Sequence, residues 1–77
     1  MRGFAGWLAG NVRASEYTRQ EIADHIGVSK AAVDKWMSGD QYPRVVPLFR
    51  LCSLLWPSDR DAKFLIATGM IEREALS

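Results

Sequence analysis

Residues 18–39 read TRQEIADHIGVSKAAVDKWMSG and predict two short helices with almost no chain between them. Thr18 is a good N-cap residue, and Glu21 three positions later completes the pattern of a capping box. Apolar residues recur on one face of this first helix until Gly27. A second helix begins after Ser29, because serine is also a favoured N-cap residue.

The turn between these two helices restricts their geometry. Only Gly27 and Val28 lie between the first helix and Ser29, the N-cap of the second. The two helices therefore cannot lie antiparallel and are predicted to cross at roughly 90–120°, as in a helix-turn-helix. Gly27 suits the left-handed conformation that ends a helix. Ala23 is small enough to let the second helix approach, and Val33 fills the angle from the other side. The alternative is a helical hairpin whose role is only structural, as part of the packed core.

Helices are predicted on both sides of this pair, and no stretch alternates apolar and polar residues in the manner of a strand. One helix runs from about Gly3 to Ala14. The loop at residues 40–43 leads into another helix, which has Pro47 in its first turn and ends at Trp56. Its inner face carries Leu48, Leu51, Cys52 and Leu55.

A last helix is predicted to begin near Ser58 or Asp59 and to run towards Gly69, leaving residues 70–77 as a short turn or a tail. Its inner face is predicted to carry Ala62, Leu65 and Ile66. The segment from residue 58 to residue 77 has more apolar side chains than one side of one helix can bury. We therefore expect it either to complete the core of the monomer or to form a two-fold dimer contact.

Length and composition limit what this chain does. Its 77 residues are expected to form one domain, residues 1–77, which excludes a large enzyme fold. A hydrophobic fraction of 48% and a charged fraction of 25% are ordinary for a globular protein, so a disordered tail is excluded. The formal charge of +1 argues against a strongly electrostatic partner but permits a locally basic face.

Catalytic and metal-binding residues are scarce. The chain has one cysteine, Cys52, and one histidine, His25, which together suffice for neither an intramolecular disulfide nor a zinc site. We expect no enzymatic activity, no metal and no cofactor. The apolar stretch at residues 4–10 is too short to span a membrane, and the cysteine usage favours the reducing cytoplasm.

Residues 18–39 resemble the helix-turn-helix of the Cro/repressor-type (lambda-repressor-like) DNA-binding family. The likeness continues through Pro43 and the helix at Leu48 to Leu55, and it covers about Phe4 to Leu55. It implies an all-α, compact bundle of about five short helices. It also implies that residues 29–38 form a recognition helix whose early residues enter the major groove of double-stranded DNA.

The resemblance further implies roles for individual residues. Lys30 and Ala31 occupy the two leading base-contact positions, and Lys35 lies one turn later on the same exposed side. Lysine donates to guanine O6 and N7, whereas alanine contacts only the thymine methyl group. Arg19 stands where the family usually has a glutamine, and we expect this longer cationic side chain to reach the DNA backbone instead.

Phosphate contacts are implied for Ser29, Ser38 and Arg44, whose side chains all suit phosphate oxygens. Across residues 18–44, four cations face four acids, so sequence-independent attraction to DNA is expected to be modest.

Two functions follow from this pattern. The first is a small phage or bacterial transcriptional regulator, a repressor that binds a near-palindromic operator as a homodimer. The alternative is a protein-interaction module with the same fold, such as an antitoxin that binds a protein partner through its C-terminal segment.

Overall fold

The structure, a computed structural model, describes residues 3–76, and within that range the chain forms five α-helices and no strand. The radius of gyration of 11.2 Å is close to that expected of a compact chain of this length. The predicted all-α class is confirmed. The helices are α1 (Gly3–Ala14), α2 (Arg19–Ile26), α3 (Lys30–Ser38), α4 (Val45–Leu55) and α5 (Arg60–Ala75).

The starts of α2 and α3 are set by capping side chains. Thr18 Oγ1 accepts a hydrogen bond from the Glu21 N–H at 3.1 Å, and the Glu21 carboxylate accepts one from the Thr18 N–H at 2.8 Å. This reciprocal pair is the predicted capping box. Ser29 Oγ accepts from the Ala32 N–H at 3.1 Å and caps α3 in the same way.

Glycines in the left-handed conformation end both helices. Gly27 has a φ of 79° and Gly39 a φ of 88°, a region that side chains disfavour. The N–H groups of Gly27 and Val28 both donate to the Ala23 carbonyl, at 2.9 and 3.0 Å. The chain therefore turns within two residues, and α3 packs directly against α2.

The core lies where α1, α2, α3 and α4 meet, and α5 covers α1 and α4. No charged or polar residue is buried within residues 3–76. Cys52 is fully buried, as predicted, and Trp7 of α1 stacks on Trp56 with ring centroids 5.0 Å apart. Besides Pro43, the buried residues are Phe4, Ala5, Leu8, Ala9, Val12, Ile22, Ala23, Ile26, Val33, Trp36, Leu48, Leu51, Cys52 and Ala67.

The length of α5 differs from the prediction. It begins at Arg60, continues through Gly69 and ends at Ala75, so most of the segment predicted as a turn or tail is helical. Ser77 lies outside the described residues. A glycine inside a helix, such as Gly69 in α5, costs about 1 kcal/mol relative to alanine. Contacts made by the second half of the helix offset this cost.

The inner face of α5 was also predicted wrongly. Leu65 is 71% exposed and Ile66 45% exposed, and Ala62 is exposed as well. The residue that faces the core most closely is Ala67, with no exposure, and it is flanked by the half-buried Phe64, Met70 and Ile71. These four residues form a second apolar stripe of α5, distinct from the predicted one, and the small Ala67 lets the helix lie close to the core along it.

Glu74, near the end of α5, connects this helix to the start of α1. One carboxylate oxygen, Oε2, accepts a hydrogen bond from the Phe4 N–H at 2.7 Å. The other, Oε1, accepts from the Tyr42 hydroxyl at 3.0 Å. Glu74 thus satisfies a first-turn N–H of α1 that has no acceptor within its own helix, and it holds the loop before α4 against the same point.

No helix within residues 3–76 is long and apolar enough to cross a lipid bilayer.

Candidate nucleic-acid interface

Helix α3 has one buried side and one exposed side. Val33 and Trp36 point into the core, with exposures of 1% and 5%. The residues at the start of α3 and on its other side are exposed, and Ala31, Lys35 and Ser38 follow one another at spacings of four and three. We call this surface the α3 outer face; it consists of Ser29, Lys30, Ala31, Lys35 and Ser38.

Two of the predicted site residues lie outside the α3 outer face. Arg19 is the first residue of α2 and is exposed, and its guanidinium reaches α3, where Nη1 lies 3.1 Å from Asp34 Oδ1. Arg44 is exposed at the N-cap position of α4 and makes no side-chain capping bond. Among residues 3–76, no hydrogen bond or ion pair joins Arg44 to the α3 outer face. The structure therefore joins Arg19 to α3 by an ion pair, whereas no bond of this kind connects Arg44 to the described residues of the α3 outer face.

Asp34 was not among the predicted site residues. Its carboxylate pairs with Lys30 Nζ at 3.1 Å as well as with Arg19, so it lies between two of the predicted cations. The three side chains are 38–49% exposed, and each ion pair contributes about 0.2–1 kcal/mol at that exposure. The spacing of four residues between Lys30 and Asp34 could have indicated the first pair, whereas the second depends on how α2 packs on α3.

The charges on this surface remain positive overall. Arg19, Lys30 and Lys35 supply three positive charges and Asp34 one negative charge, which leaves a local balance of +2. The formal charge of the whole chain is only +1. The excess is confined to these four side chains, because Glu21 in the first turn of α2 offsets one of the positive charges and four cations face four acids across residues 18–44.

The two serines differ in what their hydroxyl groups already do. Ser29 Oγ acts as the acceptor for the α3 cap, so its O–H remains able to donate to an incoming anion. Ser38 Oγ donates to the Lys35 carbonyl at 3.1 Å and would have to break that bond in order to donate to a phosphate. Ser29 is therefore the better placed of the two for a phosphate contact.

Cys52 and His25 are not among the residues of the α3 outer face. Within residues 3–76, no cluster of three or more His, Cys, Asp or Glu residues could hold a metal ion. Burial raises the pKa of the Cys52 thiol to about 11, so it is protonated at neutral pH and packs as an apolar side chain. His25 is exposed, and its ring packs edge-on against Tyr17 with centroids 5.5 Å apart.

Apolar side chains are also exposed on the neighbouring helices α4 and α5. Phe49 packs edge-on against Phe64 at 5.6 Å, and the Arg60 guanidinium lies 4.7 Å from the centre of the Phe49 ring. The exposed apolar residues of these two helices are Val45 (66% exposed), Val46 (58%), Phe49 (38%), Leu65 (71%) and Ile66 (45%).

No family model, curated protein or solved structure matches this chain. Its function must therefore be inferred from the placement of its own residues.

Proposed function

We propose that this protein is a sequence-specific DNA-binding transcriptional regulator, a small phage or bacterial repressor that occupies a near-palindromic operator as a homodimer. The observation that carries the proposal is the α3 outer face. A short helix capped at both ends presents Lys30, Ala31 and Lys35 to solvent together, while its opposite side is held in the core.

An α-helix with its side chains is about 10–12 Å across and so fits the major groove of B-DNA, which is about 12 Å wide. With the start of α3 in that groove, Lys30 donates to guanine O6 and N7, and Ala31 contacts a thymine methyl group. Lys35 follows one turn later. Base preference in this arrangement comes from few side chains, which makes each of them sensitive to substitution.

Phosphate contacts hold the protein in register on the duplex. Ser29 at the start of α3 and Arg44 at the start of α4 are exposed donors that precede and follow the recognition helix in the chain, and Arg19 and Ser38 add to them. Since few cations take part, few counterions are released and non-specific attraction is modest. Specificity then depends on the placement of contacts more than on total charge.

The exposed apolar side chains of α4 and α5 support the homodimer. Exposed side chains such as Leu65 and Val45 remain in water in the monomer, and burying them against a second copy recovers about 25 cal/mol per Å² of apolar area. A two-fold dimer would place two α3 helices about 34–36 Å apart, one turn of DNA. Sedimentation without DNA tests this: the wild type should associate, and Leu65→Glu should shift it towards monomer. A wild type that stays monomeric at high concentration would refute the dimer.

Selection of bound sequences from random duplex DNA tests the proposed function. We expect a two-fold symmetric site to emerge. Lys30→Ala should then cost about 1–3 kcal/mol of binding and relax the preference at one position in each half-site. Arg44→Ala should weaken binding to all sequences alike and reduce the salt slope by about one phosphate contact.

Lys63→Ala is the matched control, because it removes one positive charge from α5, which packs against α1 and α4. It should leave the selected sequence unchanged. If Lys30→Ala and Arg44→Ala both bind the selected site as tightly as the wild type, α3 does not dock on DNA in the proposed way.

The alternative is a protein-interaction module, such as an antitoxin that binds a protein partner through its C-terminal segment. It is favoured by the exposure of Leu65 and of Leu76, which is 88% exposed at the end of α5. A chain that selects no duplex sequence and does not associate with itself would support this alternative over the repressor.

A further inference from the structure

The Asp34 carboxylate lies at the centre of the charged groups on α2 and α3. Its Oδ2 is 3.1 Å from Lys30 Nζ, one turn earlier on the same helix, and its Oδ1 is 3.1 Å from Arg19 Nη1 on the neighbouring helix. One carboxylate thus contacts two of the cations to which DNA contacts are assigned above.

The surroundings of Asp34 restrict its movement. Oδ1 is shielded from solvent and, among residues 3–76, finds no well-aligned hydrogen-bond donor, so the charge of Arg19 is what compensates it. An ionised oxygen without water is costly unless a positive charge stays close. This cost keeps the Arg19 guanidinium beside α3 and keeps the carboxylate between the two helices.

The contact with Asp34 leaves Lys30 able to bind a base. A lysine ammonium group has three N–H donors, and the hydrogen bond to Asp34 uses one of them. Two donors remain, which matches the two acceptors O6 and N7 of guanine. Lys30 can therefore keep its bond to Asp34 while it contacts a base, and its long side chain is ordered before DNA arrives.

Asp34 also changes how strongly the neighbouring cations attract phosphate groups. Its negative charge lies within hydrogen-bond distance of Lys30 and within an ion-pair distance of Arg19, so it offsets part of the attraction of either cation for a passing phosphate group. An arrangement that orders Lys30 and weakens phosphate attraction raises the affinity for the correct site relative to other sequences.

We infer that Asp34 is a positioning residue for DNA recognition, which orders Lys30 for base contact and suppresses binding to non-cognate duplex. This inference rests on the proposed function. It assigns Asp34 no contact with DNA of its own.

The test measures the affinity of the protein for its selected site and for a random-sequence duplex at several salt concentrations. Asp34→Asn should bind the random duplex more tightly, with a salt slope steeper by about 0.9, the value for one further phosphate contact. The ratio of the two affinities should fall by up to about fivefold, because the ordering of Lys30 cannot be worth more than its partly exposed ion pair with Asp34.

Two further variants separate positioning from charge. Asp34→Glu keeps the carboxylate and should retain most of the discrimination of the wild type. Glu72→Gln removes the same charge from an exposed position in the last turns of α5 and should leave the affinity ratio unchanged. All three variants are expected to fold, because the ion pairs of Asp34 are partly exposed and Glu72 is exposed.

Each contrary outcome has a distinct meaning. A wild type that selects no sequence refutes the proposed function and this inference with it. A wild type that selects a site, together with an Asp34→Asn variant of equal affinity ratio and salt slope, refutes only the role of Asp34. If Glu72→Gln lowers the affinity ratio by the same factor, the effect comes from net charge alone and the role of Asp34 is refuted. A change of preferred base at one position in Asp34→Asn, with the ratio preserved, would show that Asp34 contacts a base directly.

Discussion

Replacing Glu74 with alanine should destabilise the fold more than the loss of any other charged side chain in α5. The substitution removes both acceptors of the contact between the two ends of the described chain: Oε2, bound by the Phe4 N–H at 2.7 Å, and Oε1, bound by the Tyr42 hydroxyl at 3.0 Å. A methyl group replaces neither acceptor, so both donors must find other partners.

The size of the effect follows from the burial of the two donors. Phe4 has no exposure, so its N–H is poorly placed to bind water, and a hydrogen bond to a charged group contributes about 1.5–3 kcal/mol. Tyr42 is half-buried and its hydroxyl can turn towards solvent, which makes its share smaller. We expect a total loss of about 2–3 kcal/mol, a large part of the roughly 3–5 kcal/mol that a core of this size supplies.

Urea unfolding followed by far-ultraviolet circular dichroism measures this loss, and thermal unfolding should show a fall of about 10–20 °C in Tm. Glu72→Ala is the matched control: it removes an exposed carboxylate two residues earlier on the same helix and should change stability by less than about 0.5 kcal/mol. Glu74→Gln should fall in between, because the amide keeps one acceptor oxygen and loses the other.

The contact would be refuted as a source of stability if Glu74→Ala and Glu72→Ala unfolded at the same urea concentration. An intermediate result for Glu74→Ala that Tyr42→Phe reproduces would assign the whole effect to the tyrosine and none to the start of α1.

Three other outcomes can be measured by unfolding. Gly27→Ala should cost about 1–2 kcal/mol, because its φ of 79° disfavours any side chain, although the added Cβ would meet only Arg50 Nη1 at an ordinary 3.5 Å. Gly10→Ala should instead stabilise by up to about 1 kcal/mol, since a Cβ there meets nothing within 4 Å inside α1. Burial raises the pKa of the Cys52 thiol from 9.0 to about 11, so the unfolded chain loses this proton first and stability should fall as pH rises through that range. Cys52→Ala should lack this fall, and native Cys52 should react slowly with thiol reagents.

The boundaries of α2 and α3 could be predicted from the sequence because their causes are local. Thr18, Ser29 and Gly27 act on backbone groups within five residues of themselves, and those groups are present in any conformation of the chain. The exposure of Lys30 and Lys35 follows in the same way, because the apolar residues of a nine-residue helix define its buried side and hence its outer one.

The register of α5 could not be predicted in this way. Its sequence carries two apolar stripes, one through Leu65 and Ile66 and one through Phe64 and Ala67, and helical spacing alone does not rank them. The choice depends on which stripe fits the surface already formed by α1 and α4, and the small Ala67 permits the closer approach. The extension past Gly69 depends on the same packing.

Asp34 shows the same division within the candidate site. Its pair with Lys30 joins two residues four apart on one helix, which the spacing implies, whereas its pair with Arg19 joins two helices.

The sequence by itself determined where the short helices start, turn and end, and which side of α3 faces outward, because capping and periodicity act within a few residues. Only the tertiary structure decided the face and length of α5, the contact of Glu74 with Phe4 across 70 residues and the bridge from Arg19 to Asp34. Those contacts exist only after distant segments have packed together.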